Sequence, residues 1–245
     1  MGPRTVHLIR HGQASFGARD YDRLSDLGTV QSELLGDWLR ATSAVPGRLL
    51  SGRLLRHRQT AAACLGRWMP GGAEGSTVSE DGAFDEYDHR RLLLQRYPDF
   101  AAPGSLERFI ADAGDKAGRR AFQDMFSRCV ADWIEGRDQD PAGESWTAFR
   151  GRCVAGLARW MDDGDGANGG SAGEDLWVFT SGGPICAVLQ HVLDLPPSSV
   201  PDLCWAVRNA SVTRLSVRDS RLTLLEFNSI AHLTGTGRAG LVTYR

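Results

Sequence analysis

Residues 5–12 read Thr5-Val6-His7-Leu8-Ile9-Arg10-His11-Gly12, a short apolar run that stops at two basic side chains and a glycine. Such a run, too short for a helix and closed at once by polar residues, predicts a buried strand over Thr5–Ile9. The same pattern recurs twice. Leu49-Leu50 runs into Ser51-Gly52 and then an alanine-rich helical stretch at about 53–68. Leu176–Thr180 runs into Ser181-Gly182-Gly183-Pro184 and a helix at about 185–195, with the proline at its start. Strands alternating with helices predict an α/β fold of three layers, α/β/α, around a mostly parallel central sheet. In such sheets ligands bind beyond the carboxyl ends of the strands. That is where these three segments place their polar residues.

The flanking sequence fills in the rest. Ser25 is a helix N-cap, and Leu27, Val30, Leu34, Leu35, Trp38 and Leu39 follow at helical spacing as an expected buried face. A helical block covers about 90–160. It carries a Phe122, Met125, Phe126, Cys129, Val130, Trp133 and Ile134 stripe, and a further helix is capped by Ser145. Residues 162–174 are rich in Gly, Asp, Asn and Ser and are expected to form a mobile loop. Ser211–Val217 and Leu222–Phe227 predict two strands joined by a turn. The expectation is one domain over 1–245, with the helical block inserted over the active site.

Composition narrows the classes. The 245 residues are 42% hydrophobic and 24% charged with a formal charge of −2, so no overall field favours nucleic acid or an anionic membrane surface. No apolar stretch approaches the ~18 residues of a membrane span. The N-terminus lacks an apolar leader, and a cytoplasmic location is expected. Cys64, Cys129, Cys153, Cys186 and Cys204 are odd in number and widely spaced, which predicts buried thiols rather than disulfides or a zinc site.

Each polar segment has two readings when taken alone. A histidine at a strand end serves as structure or as a nucleophile, since neutral imidazole attacks well near pH 7. Arg10 offers a donor fork suited to phosphate, and Gly12 lets an anion approach the backbone. Arg56 falls in the first turn of a helix, whose free amides favour anions, whereas Arg53 and Arg58 read as surface charges. Ser181 and the Gly182 amide form a tight turn or a second set of phosphate donors.

Together, and in this order, LIRHGQASFG, SGRLLRHRQTA, FDEYDH, NASVTRL and EFNSIAHL resemble the histidine phosphatase superfamily, which includes cofactor-dependent phosphoglycerate mutases. The resemblance implies His11 as the nucleophile that becomes phosphohistidine, with Arg10 and Arg56 holding the phosphoryl oxygens. It implies Glu86 as the proton donor, and it needs no cofactor and no metal ion. Two positions depart from the family pattern. Ser181 stands where a second catalytic histidine is usual, and Gly17 where asparagine is frequent. Among the other histidines His89 is the candidate to compensate, whereas His57, beside Arg56, is expected to face elsewhere, His191 to point away from the mouth and His232 to be structural.

Asp85, Glu86, Asp88 and His89 lack recognised metal-ligand spacing. Arg90, Arg91 and Arg208 are candidates for a substrate carboxylate or second phosphate, and equally for surface charges. The expected function is hydrolysis of a small phosphorylated metabolite. The alternatives are a mutase-type phosphotransferase and a phosphate-ligand binding or regulatory protein with a weakened site. Oligomeric state stays open, a homodimer being one option.

Overall fold

The computed structural model describes residues 4–15, 22–42, 44–45, 47–71, 77–137, 143–162, 174–219 and 221–244. In chain order the elements are β1 (Arg4–Arg10), α1 (Asp26–Ala41), β2 (Arg48–Ser51), α2 (Leu55–Trp68), β3 (Ser79–Glu80) and α3 (His89–Arg96). Then come α4 (Ser105–Asp112), α5 (Asp115–Ile134), α6 (Trp146–Asp162), β4 (Leu176–Thr180), α7 (Gly182–Leu193) and α8 (Val200–Ala206). β5 (Val212–Arg218), β6 (Arg221–Ser229) and α9 (Ala231–Thr234) complete them.

The six strands form one sheet in the order β3-β2-β4-β1-β5-β6. β3, β2, β4 and β1 run parallel, and the β5–β6 hairpin joins the edge of β1 antiparallel. The strands alternate between two apolar layers, as a sheet covered on both faces requires. Val6 and Leu8 of β1, with Leu176 and Val178 of β4, face a core closed by Phe149 and Leu157 of α6 and Ile185–Leu189 of α7. Ile9, Trp177 and Phe179 face the opposite layer, closed by Leu35 and Leu39 of α1 and by Ala61, Cys64, Leu65 and Trp68 of α2. The three-layer architecture is as expected.

Helix α1 corrects one expectation. Its buried face is Gly28, Gln31, Ser32, Leu35, Gly36 and Leu39, while Trp38 is 36% exposed. The helix lies too close to its neighbours for large side chains: a methyl at Gly36 would come within 2.1 Å of the Cys64 carbonyl oxygen. Hydrophobic periodicity found the helix and misjudged its rotation, because small residues do the packing. Ser25 caps α1 through the Gly28 amide, and Ser145 precedes α6 with its hydroxyl on the Ala148 amide. Pro184 sits third in α7, since that helix begins at Gly182 rather than at the proline. Gly17 and residues 163–173 of the expected loop lie outside the described residues.

Candidate active site

The end of β1 is clamped by four segments. The His11 amide donates to the Thr180 carbonyl at 2.8 Å, and the His11 carbonyl accepts from the Ala210 amide at 3.1 Å and from Asn209 Nδ2 at 3.3 Å. The next amide, Gly12, donates to Thr60 Oγ1 at 3.1 Å. Gly12 is needed for a reason other than anion access: a methyl there would lie 2.2 Å from the Gly28 carbonyl oxygen of α1. The His11 ring then turns back so that Nδ1 lies 2.7 Å from the Gly12 carbonyl oxygen. A carbonyl only accepts, so Nδ1 carries the hydrogen and Nε2 keeps its lone pair. His11 is 7% exposed, and burial, followed by the charges of Arg56 and Arg10 and the nearby His57, holds its pKa well below the ordinary value. The imidazole is therefore neutral over the physiological range, the state a nucleophile requires.

Arg10 and Arg56 both act on this ring, so the structure brings together the two guanidinium groups expected from sequence. Arg10 anchors one nitrogen on the Val207 carbonyl and on the Tyr244 carbonyl at 2.8 Å. Arg56, 6% exposed in the first turn of α2, places NH1 2.7 Å from Asp22 Oδ1, and Asp22 Oδ2 accepts the Leu55 amide at 2.8 Å. Asp22 thus ties the arginine to the helix start, where free amides and the macrodipole add positive potential. Arg53 and Arg58 are outside this group, paired with Asp85 and Glu80 on the surface.

Glu86 faces the same charges. Its Oε2 accepts the Gly183 amide at 3.2 Å and its Oε1 the Tyr87 amide at 3.2 Å. Burial raises its pKa; Arg56, the two amides and Arg10 oppose that rise without cancelling it. A carboxyl held towards its protonated form and a neutral imidazole, their pKa values shifted apart, can serve chemically as proton donor and nucleophile. Asp85, which accepts from the Arg53 amide at 2.6 Å, and Asp81, which caps the Ala83 amide at 2.8 Å, fix the loop carrying Glu86. At Gly183 a methyl would sit 2.0 Å from Glu86 Oε1. Gly183→Ala is accordingly expected to push the carboxyl out of place and lower turnover by about 10²-fold, the scale of a misplaced catalytic group. Steady-state kinetics alongside a melting curve checks this.

Ser181 ends β4 with 0% exposure, and its Oγ lies 2.6 Å from Nε2 of His57. His57 was expected to face elsewhere; it faces the site instead. Its ring is completely buried, with a centroid 5.8 Å from that of His11. The second residue of α2, Arg56, and the third, His57, both turn inward because the helix start abuts the strand ends. The sequence signal was the departure at Ser181, but nothing in the spacing tied it to position 57. Asn209, Thr60 and Asp22 are the other site residues that sequence reasoning did not single out.

The remaining candidates lie farther out. The His89 ring is tilted against Tyr87, with centroids 4.3 Å apart, and against Phe126 at 5.8 Å, within the helical layer. Arg90 is exposed in the first turn of α3. Arg208 lies 5.6 Å over the Tyr244 ring, beside the residue whose carbonyl Arg10 grips. Asp88 caps α3 through the Arg91 amide at 2.9 Å. His191 is exposed, and His232 is buried beside Trp38, hydrogen-bonded to the Ala210 backbone. Among the described residues no cluster of three His, Cys, Asp or Glu side chains can hold a metal ion, and no helix is long and apolar enough to cross a membrane. None of the five cysteines, all of them among the described residues, is in a disulfide.

Comparison with known proteins agrees with the fold. A family model described as histidine phosphatase superfamily (branch 1) matches residues 111–230, a stretch that contains β4, Ser181 and β5 but not His11, Arg56 or Glu86. No curated protein matches the chain by sequence. Among solved structures, a mycobacterial glucosyl-3-phosphoglycerate phosphatase in complex with inorganic phosphate superposes with a TM-score of 0.59. It is 23% identical, with 94% of this chain and 99% of that chain covered. Phosphoglycerate mutase from Bacillus anthracis gives 0.61 at 16% identity over 96% and 97% of the two chains. YhfR of Bacillus stearothermophilus gives 0.63 at 15% over 94% and 98%. At these identities the superpositions show the fold over nearly the whole chain, and the family match is confined to residues 111–230. Over that stretch, just under half of its length, the chain is similar to the histidine phosphatase superfamily.

Proposed function

We propose that the protein is a metal-independent phosphomonoesterase that hydrolyses a small phosphorylated metabolite through phosphohistidine on His11. The observation that carries this reading is the His11 ring: neutral, with Nδ1 committed to the Gly12 carbonyl and Nε2 left as the reacting atom beside two arginines. In the first step Nε2 forms a bond to phosphorus as the ester P–O bond breaks. Glu86 gives its proton to the departing oxygen. In the second step a water attacks phosphorus, Glu86 takes its proton, the N–P bond breaks and inorganic phosphate leaves. Arg10 and Arg56 hold the phosphoryl oxygens throughout, so their contribution is positioning and charge neutralisation. Arg90, Arg208 and His89 are assigned to the outer part of the site, where Arg208 is best placed to meet a second anionic group of the substrate.

Hydrolysis is favoured over mutase chemistry by Ser181, a neutral donor where the related enzymes usually have a histidine. A mutase must keep its phosphoenzyme from water while the substrate reorients, and a weaker grip on the phosphoryl group serves that poorly. Screening phosphomonoesters for phosphate release, with and without added 2,3-bisphosphoglycerate, tests the assignment. Release that needs no bisphosphate and survives chelator is the expected result. Isomerisation of phosphoglycerate, strictly dependent on bisphosphate, would favour the mutase. Saturable binding of phosphate esters with no turnover would favour a binding protein.

A further inference from the structure

Three features of Ser181 and His57 do not follow from the reaction scheme above. Ser181 occupies the N-cap of α7 with extended backbone, φ −117° and ψ 175°, yet its side chain caps no amide. Its Oγ instead lies 2.6 Å from His57 Nε2, and among the described residues that is the contact it makes. Nδ1 of His57 is buried without a hydrogen-bond partner among the described residues. Space on that side is also closed, since a methyl at Gly52 would come within 2.3 Å of Nδ1. Buried, unpaired N–H groups are rarer than unpaired acceptors. The hydrogen of His57 therefore belongs on Nε2, which donates to Ser181 Oγ. A hydroxyl that accepts there still has its own hydrogen to give.

Ser181 follows Thr180, whose carbonyl accepts the His11 amide, so the hydroxyl stands at the strand end next to the nucleophile. We propose that His57 and Ser181 form a two-residue donor relay, in which neutral His57 polarises the Ser181 hydroxyl and aims its hydrogen at a phosphoryl oxygen bound beside His11. No proton is transferred along the relay; a chain of hydrogen bonds makes the outer donor stronger than serine alone. Ser181 is the residue that touches the phosphoryl group, and His57 is a positioning residue acting through it. Burial, and then the charge of Arg56, holds the His57 pKa well below its ordinary value, which agrees with a neutral ring. The inference rests on the phosphatase reading and adds a specific source for the donor that the substitution at position 181 removes.

The test is steady-state hydrolysis of para-nitrophenyl phosphate by wild type, His57→Leu, His57→Gln, Ser181→Ala and the His57→Leu/Ser181→Ala double variant, with melting curves to verify folding. Leucine fills the ring's space without a donor; glutamine returns a donor near the position of Nε2. His57→Leu and Ser181→Ala are each expected to lower kcat about 10- to 10²-fold with KM changed much less, as outer-shell partners typically do. The double variant is expected to lose no more than the worse single, and His57→Gln to recover most of the leucine variant's loss. Losses that multiply in the double variant would overturn the relay, as would a His57→Leu rate equal to wild type. A glutamine variant no better than leucine, with both folded, would do the same. Those outcomes leave wild-type turnover intact. A wild type that releases no phosphate would instead defeat the phosphatase reading, and the relay with it.

Discussion

Replacing His11 with alanine is expected to lower kcat by at least ~10⁴-fold while the melting temperature stays near that of wild type, because loss of a covalent nucleophile removes the pathway itself. The structural reason for the intact fold is that the clamp on this residue is made by its backbone. The amide is held by Thr180, the carbonyl by Ala210 and Asn209, and the following amide by Thr60. Among the described residues the imidazole hydrogen-bonds only locally, to the Gly12 carbonyl. Alanine keeps all four backbone contacts and deletes the reacting atom. Were the ring merely a phosphate ligand, the loss would fall mainly on KM and kcat would survive. Measuring kcat and KM separately decides between the two.

Glu86→Gln carries the second large effect, a fall of about 10²–10⁴-fold for esters with poor leaving groups, the usual contribution of a general acid. The fall is expected to be far smaller for para-nitrophenyl phosphate, whose leaving group departs without protonation. The pH dependence follows from the two shifts. His11 has a lowered pKa and is active as the base form, so its limb lies at low pH and activity is lost as pH falls through that value. Glu86 has a raised pKa and is active as the acid form, so activity is lost as pH rises through it. The profile of kcat/KM in wild type is thus a bell displaced to the acid side of neutrality, and the glutamine variant lacks the descending high-pH limb. An unchanged descending limb in Glu86→Gln would assign it to another group.

The sequence made the sheet legible because each parallel strand is a short apolar run that ends in polar residues and glycine. β4 was delimited to the residue, and β1 was longer by one residue at either end. The convergence of His11 with the two arginines was legible for the same reason: residues at strand and helix ends converge whatever the packing of the rest. What failed needed the third dimension. The rotation of α1 is set by how closely Gly28 and Gly36 let it approach its neighbours, which an apolar pattern does not encode. His57 was misplaced because its neighbour in the chain, Arg56, faces the site, and residues adjacent on a helix normally diverge by about 100°. At the strand-end junction both directions are occupied by the site, one by His11 and the arginines and the other by Ser181. The reason for Gly12 was also hidden, since its contact partner, Gly28, is on a helix sixteen residues later.

The proposed reaction requires a phosphoryl group bonded to Nε2 of His11. Rapid acid-free quenching during turnover of a ³²P-labelled phosphomonoester, followed by peptide mapping, reads that bond directly. An alkali-stable, acid-labile label is expected on the peptide carrying His11, absent from His11→Ala. Turnover with no protein-bound label at any quench time, or label on another residue with His11→Ala still active, would contradict it.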